Sequence, residues 1–381
     1  MPSFSDTGLT EFPFKDVPPA EPTDLWVGRP KFLSDITQLV SSWAYNKNSS
    51  IYFIWADFGA GKTHSLRYIE YLANIIQSSY SAVYCELPKG ITQFKFIYEQ
   101  IMPRFSEEIL CSAIQGYRQR YGDNWLSAQI LNGDRDTPRV MWTLAQTINQ
   151  PQGEISRKWL RGERLSSAEL RVIDNVTPIK TSEQATRTLS TLCRIVLQDS
   201  KYSRIVIMVD EFQRIARANK NQIKEINDGI HTLFNSCPKG LSIILTYSIG
   251  VPDSIKYLTT DAVRSRLKQV LTLPIMSKVE LKDFIVDLLK KYQIPDTTVK
   301  VFTQDAIEWV INKLFEDSVK WAKNEVAEDA SRSVTPRIAM QEFSKILEKT
   351  INGDGPYQFP IDKGWVKSLY VDPTSWLFST I

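Results

Sequence analysis

The sequence predicts an α/β fold, a three-layer αβα arrangement on a parallel sheet, followed by a small all-α lid. Three observations predict it. Short apolar runs at IYFIWA (51–56), SAVYCEL (81–87), SRIVIMVDEF (203–212) and LSIILTYS (241–248) read as strands buried on both faces. Stretches with helical spacing alternate with them, as in a parallel sheet covered by helices. From Val279 onward the strand signal fades and helical spacing takes over.

Taken in order, residues 1–24 are rich in Pro, Ser, Thr and acidic side chains, including Pro18, Pro19 and Pro22. They read as an extended leader that docks on a neighbour. Without an apolar core or basic start, this segment is not expected to be a signal peptide. Phe32, Ile36, Leu39, Val40 and Trp43 predict an amphipathic helix over 30–46, and a polar turn at 46–50 precedes the first strand. After that strand, a Gly-rich turn runs into a helix carrying Leu66, Ile69, Leu72 and Ile75. Residues 92–170 look mostly helical, broken around Asn132-Gly133 and Pro151. Beyond Val279, Leu281, Phe284, Ile285, Leu288 and Leu289 mark one helix. Ile307, Val310 and Leu314 mark a second, and Ile338, Phe343 and Ile346 a third. The expected units are a leader at 1–24, an αβα domain at 25–277 with a helical insertion at 90–180, a helical lid at 278–350 and an aromatic tail at 351–381. Gly353, Gly355, Pro356 and Pro360, with Tyr357, Trp365, Tyr370 and Trp376, characterise that tail.

Composition narrows the classes. The chain's 381 residues allow two to three units at about 150 residues each. With 43% hydrophobic and 23% charged residues, it is neither disordered, collagen-like nor a disulfide-stapled mini-domain. A net charge of +3 is too small to indicate nucleic acid, so any basic surface must be local. Cys85, Cys111, Cys193 and Cys237, with only His64 and His231, assemble no zinc ligand set. No run approaches the roughly 18 apolar residues of a membrane span, so a soluble, cytoplasmic protein is expected, with no membrane partner.

The strongest chemical signal is ADFGAGKT, Ala56 to Thr63, between a buried strand and a helix. Successive backbone N–H groups there can wrap a phosphate, and the helix N-terminus adds positive potential. Gly59 and Gly61 let the backbone close, Lys62 reaches the β- and γ-phosphates, and the Thr63 hydroxyl suits Mg²⁺. Asp210 and Glu211, ending an apolar strand, supply a metal-shell carboxylate and a water-orienting one. Thr246 or Ser248 would lie near the γ-phosphate at the end of the next strand. Arg264 and Arg266, just before a further apolar run, are candidates to neutralise phosphoryl charge on a neighbouring subunit. Pro336 fits a first helical turn and would aim Arg337 back at the nucleotide.

WVGR (26–29), GAGKT, VDEF, the polar strand end at 246–248, SRL (265–267) and TPR (335–337) follow one another as in AAA+ P-loop ATPases. The chain resembles the initiator-like branch, with its origin-recognition ATPases and TnsC- and IstB-type transposition regulators. KWLRGERLSSAELR (158–171) is similar to an insertion of bacterial phage-defence, BREX-type ATPases. The resemblance implies ATP and Mg²⁺ as cofactors, with Val27, Gly28 and Arg29 near the adenine and Phe58, Gly59, Ala60, Gly61, Lys62, Thr63 and His64 around the phosphates. Arg266, or failing that Arg264, would act in trans, and Arg337 would be a second sensor on the lid. It further implies a homo-oligomeric ring or filament, double-stranded DNA, and a protein effector such as a nuclease, methylase or transposase. A TnsC-like transposition regulator and a STAND-like scaffold that gates a partner without DNA fit the same machine.

Two departures stand out. Ala56 replaces the first Gly of the loop motif, and the connection from 87 to 203 far exceeds a minimal αβα crossover. That insertion is expected to serve a partner, a substrate or oligomer contacts. For DNA, Arg214, Arg217, Lys220 and Lys224 would form one positive face if their segment is a single helix. A solvated helix face explains them equally well.

Overall fold

The computed structural model describes residues 4–15, 17–76, 79–131, 133–198, 201–248, 255–323, 334–353 and 359–370. Five strands form one sheet: β1 (Ser50–Trp55), β2 (Tyr80–Glu86), β3 (Arg204–Asp210), β4 (Leu241–Tyr247) and β5 (Leu267–Thr272). Their order is β2-β3-β4-β1-β5, and every pairing is parallel. This places the ends of β1, β3 and β4 side by side at the centre of the sheet. The apolar runs read as strands are those at β1 to β4. β5 is an edge strand on which only Leu271 is buried.

Helices cover both faces. Pro30 occupies the first turn of α1 (Pro30–Ser42), whose buried face carries Phe32, Ile36, Leu39 and Val40. α2 (Lys62–Tyr71) begins directly after the Gly-rich loop. The insertion contributes α3 (Phe94–Ile101), α4 (Glu107–Tyr121), α5 (Asp136–Gln146), α6 (Pro151–Leu160) and α7 (Ser167–Val172). α8 (Ser182–Gln198) then leads into β3, and α9 (Lys220–Ser236) into β4. Leu110, Trp125, Met141 and Trp159 of the insertion share one continuous core with Ile207 and Ile243 of the sheet. The insertion is therefore an extension of the domain core. Asn132 of the expected break lies outside the described residues; Pro151 opens α6.

The segment that carries the defence resemblance is structural. Trp159 is buried and its Nε1 donates to the Thr177 carbonyl at 3.0 Å. Gly162 takes a φ of 74°, and Ser166 with Glu169 forms the capping box that opens α7.

After the short α10 (Ile255–Leu258) and α11 (Asp261–Arg264), the chain builds a separate helical core. It consists of α12 (Lys278–Tyr292), α13 (Gln304–Lys323), α14 (Pro336–Asn352) and α15 (Lys363–Leu369). Leu281, Ile285, Val310, Leu314, Phe343 and Ile346 fill its centre. The leader belongs to this core rather than to a neighbour. Leu9 and Phe14 are buried in it, with Phe14 stacked on Phe343 at 5.7 Å. Thr10 N donates to the Tyr292 carbonyl at 2.8 Å, and Ile294 N to the Gly8 carbonyl at 2.8 Å. With Phe4 and Phe12 packed beside them, these side chains override the polar composition of that segment.

The tail behaves likewise. Trp365 Nε1 donates to Thr350 Oγ1 at 2.9 Å, and Tyr370 packs edge-on against Trp309 at 5.5 Å. Gly355, Pro356, Tyr357 and Trp376 lie outside the described residues. No helix among the described residues is long and apolar enough to cross a membrane.

Candidate active site

The loop between β1 and α2 closes as its glycines require. Gly59 and Gly61 adopt φ of 74° and 103°, a region L side chains rarely enter. A Cβ on Gly59 would also meet Thr335 Oγ1 at 2.9 Å and Arg337 Cβ at 3.3 Å. The start of α14 therefore rests directly on the loop. Ala56 is not among the residues with positive φ, and its methyl is buried beside β1. The first position of the loop therefore does not use a backbone conformation that favours glycine.

Lys62 is 5% exposed, and its Nζ donates to the Ala56 and Asp57 carbonyls at 2.9 and 2.8 Å. Burial pulls its ammonium down to about 8, against the opposing charges of Glu211, Asp210 and Asp57. A cavity of about 320 Å³ opens above it. Gly59 to Thr63 and Glu211 line it, together with Val27, Arg29, Met276, Phe284 and Tyr292. Pro336 and Arg337 close it from α14, and Arg337 lies 5.0 Å from the Phe58 ring centroid. Pro13, Pro18, Pro19 and Thr23 add a wall from the leader.

Of the three residues placed near the adenine, Val27 and Arg29 line the cavity and Gly28 does not. Arg29 donates from Nη1 to the Ala60 carbonyl at 2.7 Å, tying the segment before α1 to the loop. Burial lowers its guanidinium to about 10, with Glu280 opposing. His64 lies against Trp26, with Nε2 2.6 Å from the Leu25 carbonyl, and burial pushes its imidazole down.

Behind the loop lies Asp210, 1% exposed and absent from the cavity lining. Its Oδ2 accepts from Thr63 Oγ1 at 2.6 Å and Tyr84 OH at 3.1 Å. Its Oδ1 accepts from Thr246 Oγ1 at 2.5 Å and Glu211 N at 2.9 Å. Four donors thus saturate one carboxylate. Glu211 turns into the cavity through a left-handed backbone, φ 58°. Gln213 Nε2 donates to its Oε2 at 2.9 Å, and Arg214 Nε lies 3.5 Å from the same oxygen. Burial, then Asp210, raises the Glu211 carboxyl above its usual value, opposed by Arg214 and Lys62.

Several expectations need correction. Thr246 is buried behind Asp210, to which it gives its hydroxyl, and Ser248 lies outside the cavity lining. Ser248 N instead donates to Gln213 Oε1 at 3.1 Å. Arg264 is tied to Asp261 and to the Lys256 and Thr259 carbonyls, whereas Arg266 is exposed with no side-chain partner among the described residues.

The four basic residues at 214–224 do not share a helix. A 3-10 turn at Phe212–Arg217 ends before Asn219, whose capping box with Gln222 starts α9 afresh. Arg214 turns inward to Glu86 at 2.8 Å, to the Leu87 carbonyl and towards Glu211. Arg217, Lys220 and Lys224 remain exposed. Sequence reasoning missed Tyr84, Gln213 and the leader wall. Only the Gln, two residues after the carboxylate pair, was close enough in sequence to suspect.

The family model for the BREX system ATP-binding protein BrxC/D matches residues 137–352, more than half of the chain. No curated protein matches. The fold is similar to the Aeropyrum pernix ORC2 protein in its ADPNP-ADP complexes, with a TM-score of 0.53 at 13% identity over 93% of this chain and 70% of that one. The ADP form of that protein gives 0.51 at 12% identity over 94% and 71%. At such identity the likeness shows the fold, a parallel sheet with an appended helical unit.

Proposed function

Because the chain belongs to the BREX system ATP-binding protein BrxC/D family and is an AAA+ ATPase of a defence system, we propose that it is a nucleotide-driven switch acting on DNA. ATP would lie between the αβα core and the helical lid, and ATP-bound subunits would assemble into a ring or filament. The observation that carries this reading is the convergence of Lys62, Thr63, Glu211 and Arg337 on one cavity. Arg266, exposed and away from its own cavity, is left for the site of a second copy.

In this reading the GKT loop is a Walker A motif and VDEF a Walker B motif. Lys62 holds the terminal phosphates, and Arg337 senses them from the lid. Glu211, held by Gln213 and Arg214, orients the attacking water; Arg214 and Lys62 favour its ionised form against the burial that raises it. The donor chemistry fits a hard divalent cation. The Thr63 hydroxyl donates its one hydrogen bond to Asp210, so its oxygen has acceptor capacity left for a cation. Bound Mg²⁺ would offset charge on the β- and γ-oxygens. Asp210, saturated and buried, acts on that metal through Thr63 rather than as a direct ligand.

Arg217, exposed at the end of the 3-10 turn, with Lys220 and Lys224, exposed at the start of α9, are the candidate phosphate contacts to DNA. Mass photometry of the Glu211→Gln protein tests the assembly claim, with ATP and with or without a duplex of about 60 base pairs, long enough to span several helical turns. Assemblies that require both ATP and DNA, and dissolve as salt rises, support the proposal. Assembly with ATP alone, unchanged by DNA, rejects the DNA arm and favours a scaffold that gates a protein partner.

A further inference from the structure

We propose that Tyr84, on the strand beside Asp210, is a positioning residue for the metal shell, fixing Asp210 so that the Thr63 proton stays committed to it. The inference rests on the reading of Thr63 above. β2 and β3 run parallel with Glu86 opposite Asp210, which brings Tyr84, two residues earlier, within reach of that carboxylate. The phenol donates to Oδ2 at 3.1 Å, the same oxygen that accepts from Thr63 at 2.6 Å. Thr246 and the Glu211 backbone hold Oδ1. With one hydroxyl removed, Oδ2 keeps a single donor, and the carboxylate plane loses one of the contacts that fix its rotation.

The ring itself is clamped. The Arg67 guanidinium stacks 3.7 Å from its centroid, and Arg67 is bound to Glu70 at 2.7 Å. Burial, with Asp210 beside it, pushes the Tyr84 phenol well above its ordinary value. Nothing in the role of Tyr84 requires contact with nucleotide, and it does not line the cavity.

Tyr84→Phe keeps the ring and its stacking while deleting the hydroxyl. The readout is Mn²⁺ affinity of the ADP-bound protein by electron paramagnetic resonance, alongside ADP affinity in EDTA and the thermal midpoint. The expected result is Mn²⁺ binding weakened about 10-fold, with metal-free ADP affinity unchanged. Mn²⁺ affinity within twofold of the parent overturns the inference. An equal loss of metal-free ADP binding overturns it as well, marking Tyr84 as a packing residue. Thr63→Ala separates the two levels of the argument. If it too leaves Mn²⁺ affinity intact, the reading of Thr63 is wrong; if it weakens Mn²⁺ while Tyr84→Phe does not, only the role of Tyr84 falls.

Discussion

Glu211→Gln is expected to bind ATP as tightly as the parent protein and to hydrolyse it at least about 100-fold more slowly, the usual contribution of a positioned base. The substitution is nearly isosteric. The backbone at Glu211 is held by its N–H on Asp210 Oδ1 at 2.9 Å and Thr246 Oγ1 at 3.0 Å, neither of which depends on the side-chain charge. The left-handed φ therefore survives, and so does the cavity wall. What disappears is the anion that Gln213 and Arg214 hold in place. Fluorescent-nucleotide binding and phosphate release measure the two halves separately. Turnover within threefold of the parent would remove Glu211 from the reaction.

Lys62→Ala is expected to abolish useful nucleotide binding, weakening it by about 100-fold or more, roughly 3 kcal/mol for charge-assisted bonds to phosphate. Nothing replaces it. Lys62 is the cation buried within the loop, and its removal also strips the Ala56 and Asp57 carbonyls of their donor. The same residue sets a pH dependence. Its ammonium, lowered to about 8 in the free protein, is raised again beside phosphate, so binding above that pH takes up a proton. Parent affinity should be flat below pH 8 and fall as pH rises through and beyond it, by up to about tenfold per unit. Calorimetry in buffers of different ionisation enthalpy detects that proton, and the residual binding of Lys62→Ala should lack the dependence.

Much of this architecture is legible in the chain because four of its five strands are buried nearly throughout. IYFIWA, SAVYCEL, VIMVD and SIILTY leave no other packing, and the Gly-rich loop after the first of them announces its own geometry. β5 is harder to read, since LKQVLT at a sheet edge buries only Leu271 and carries no continuous apolar run. The leader misleads for the opposite reason. Phe4, Leu9, Phe12 and Phe14 are few in a polar, Pro-rich stretch, and only the folded helical core shows what they fill.

The basic residues at 214–224 fail as one face because spacing alone does not register the restart at Asn219. Nor does spacing show that Arg214 has carboxylates at Glu86 and Glu211 to satisfy. Tyr84 is invisible in the sequence because its partner is 126 residues away and is brought near only by the parallel register of β2 and β3.

The central claim, that each site is completed by a second copy, is tested most directly by mixing two inactive variants. Glu211→Gln binds ATP, assembles and keeps Arg266 but cannot turn over; Arg266→Ala keeps the pocket but cannot complete its neighbour's. Phosphate release is measured for each alone and for an equimolar mixture. The account predicts that both are inactive alone and that the mixture recovers about a quarter of parent activity, the share of random contacts pairing an intact pocket with an intact arginine. A mixture no more active than its components, or full activity of Arg266→Ala by itself, would contradict it.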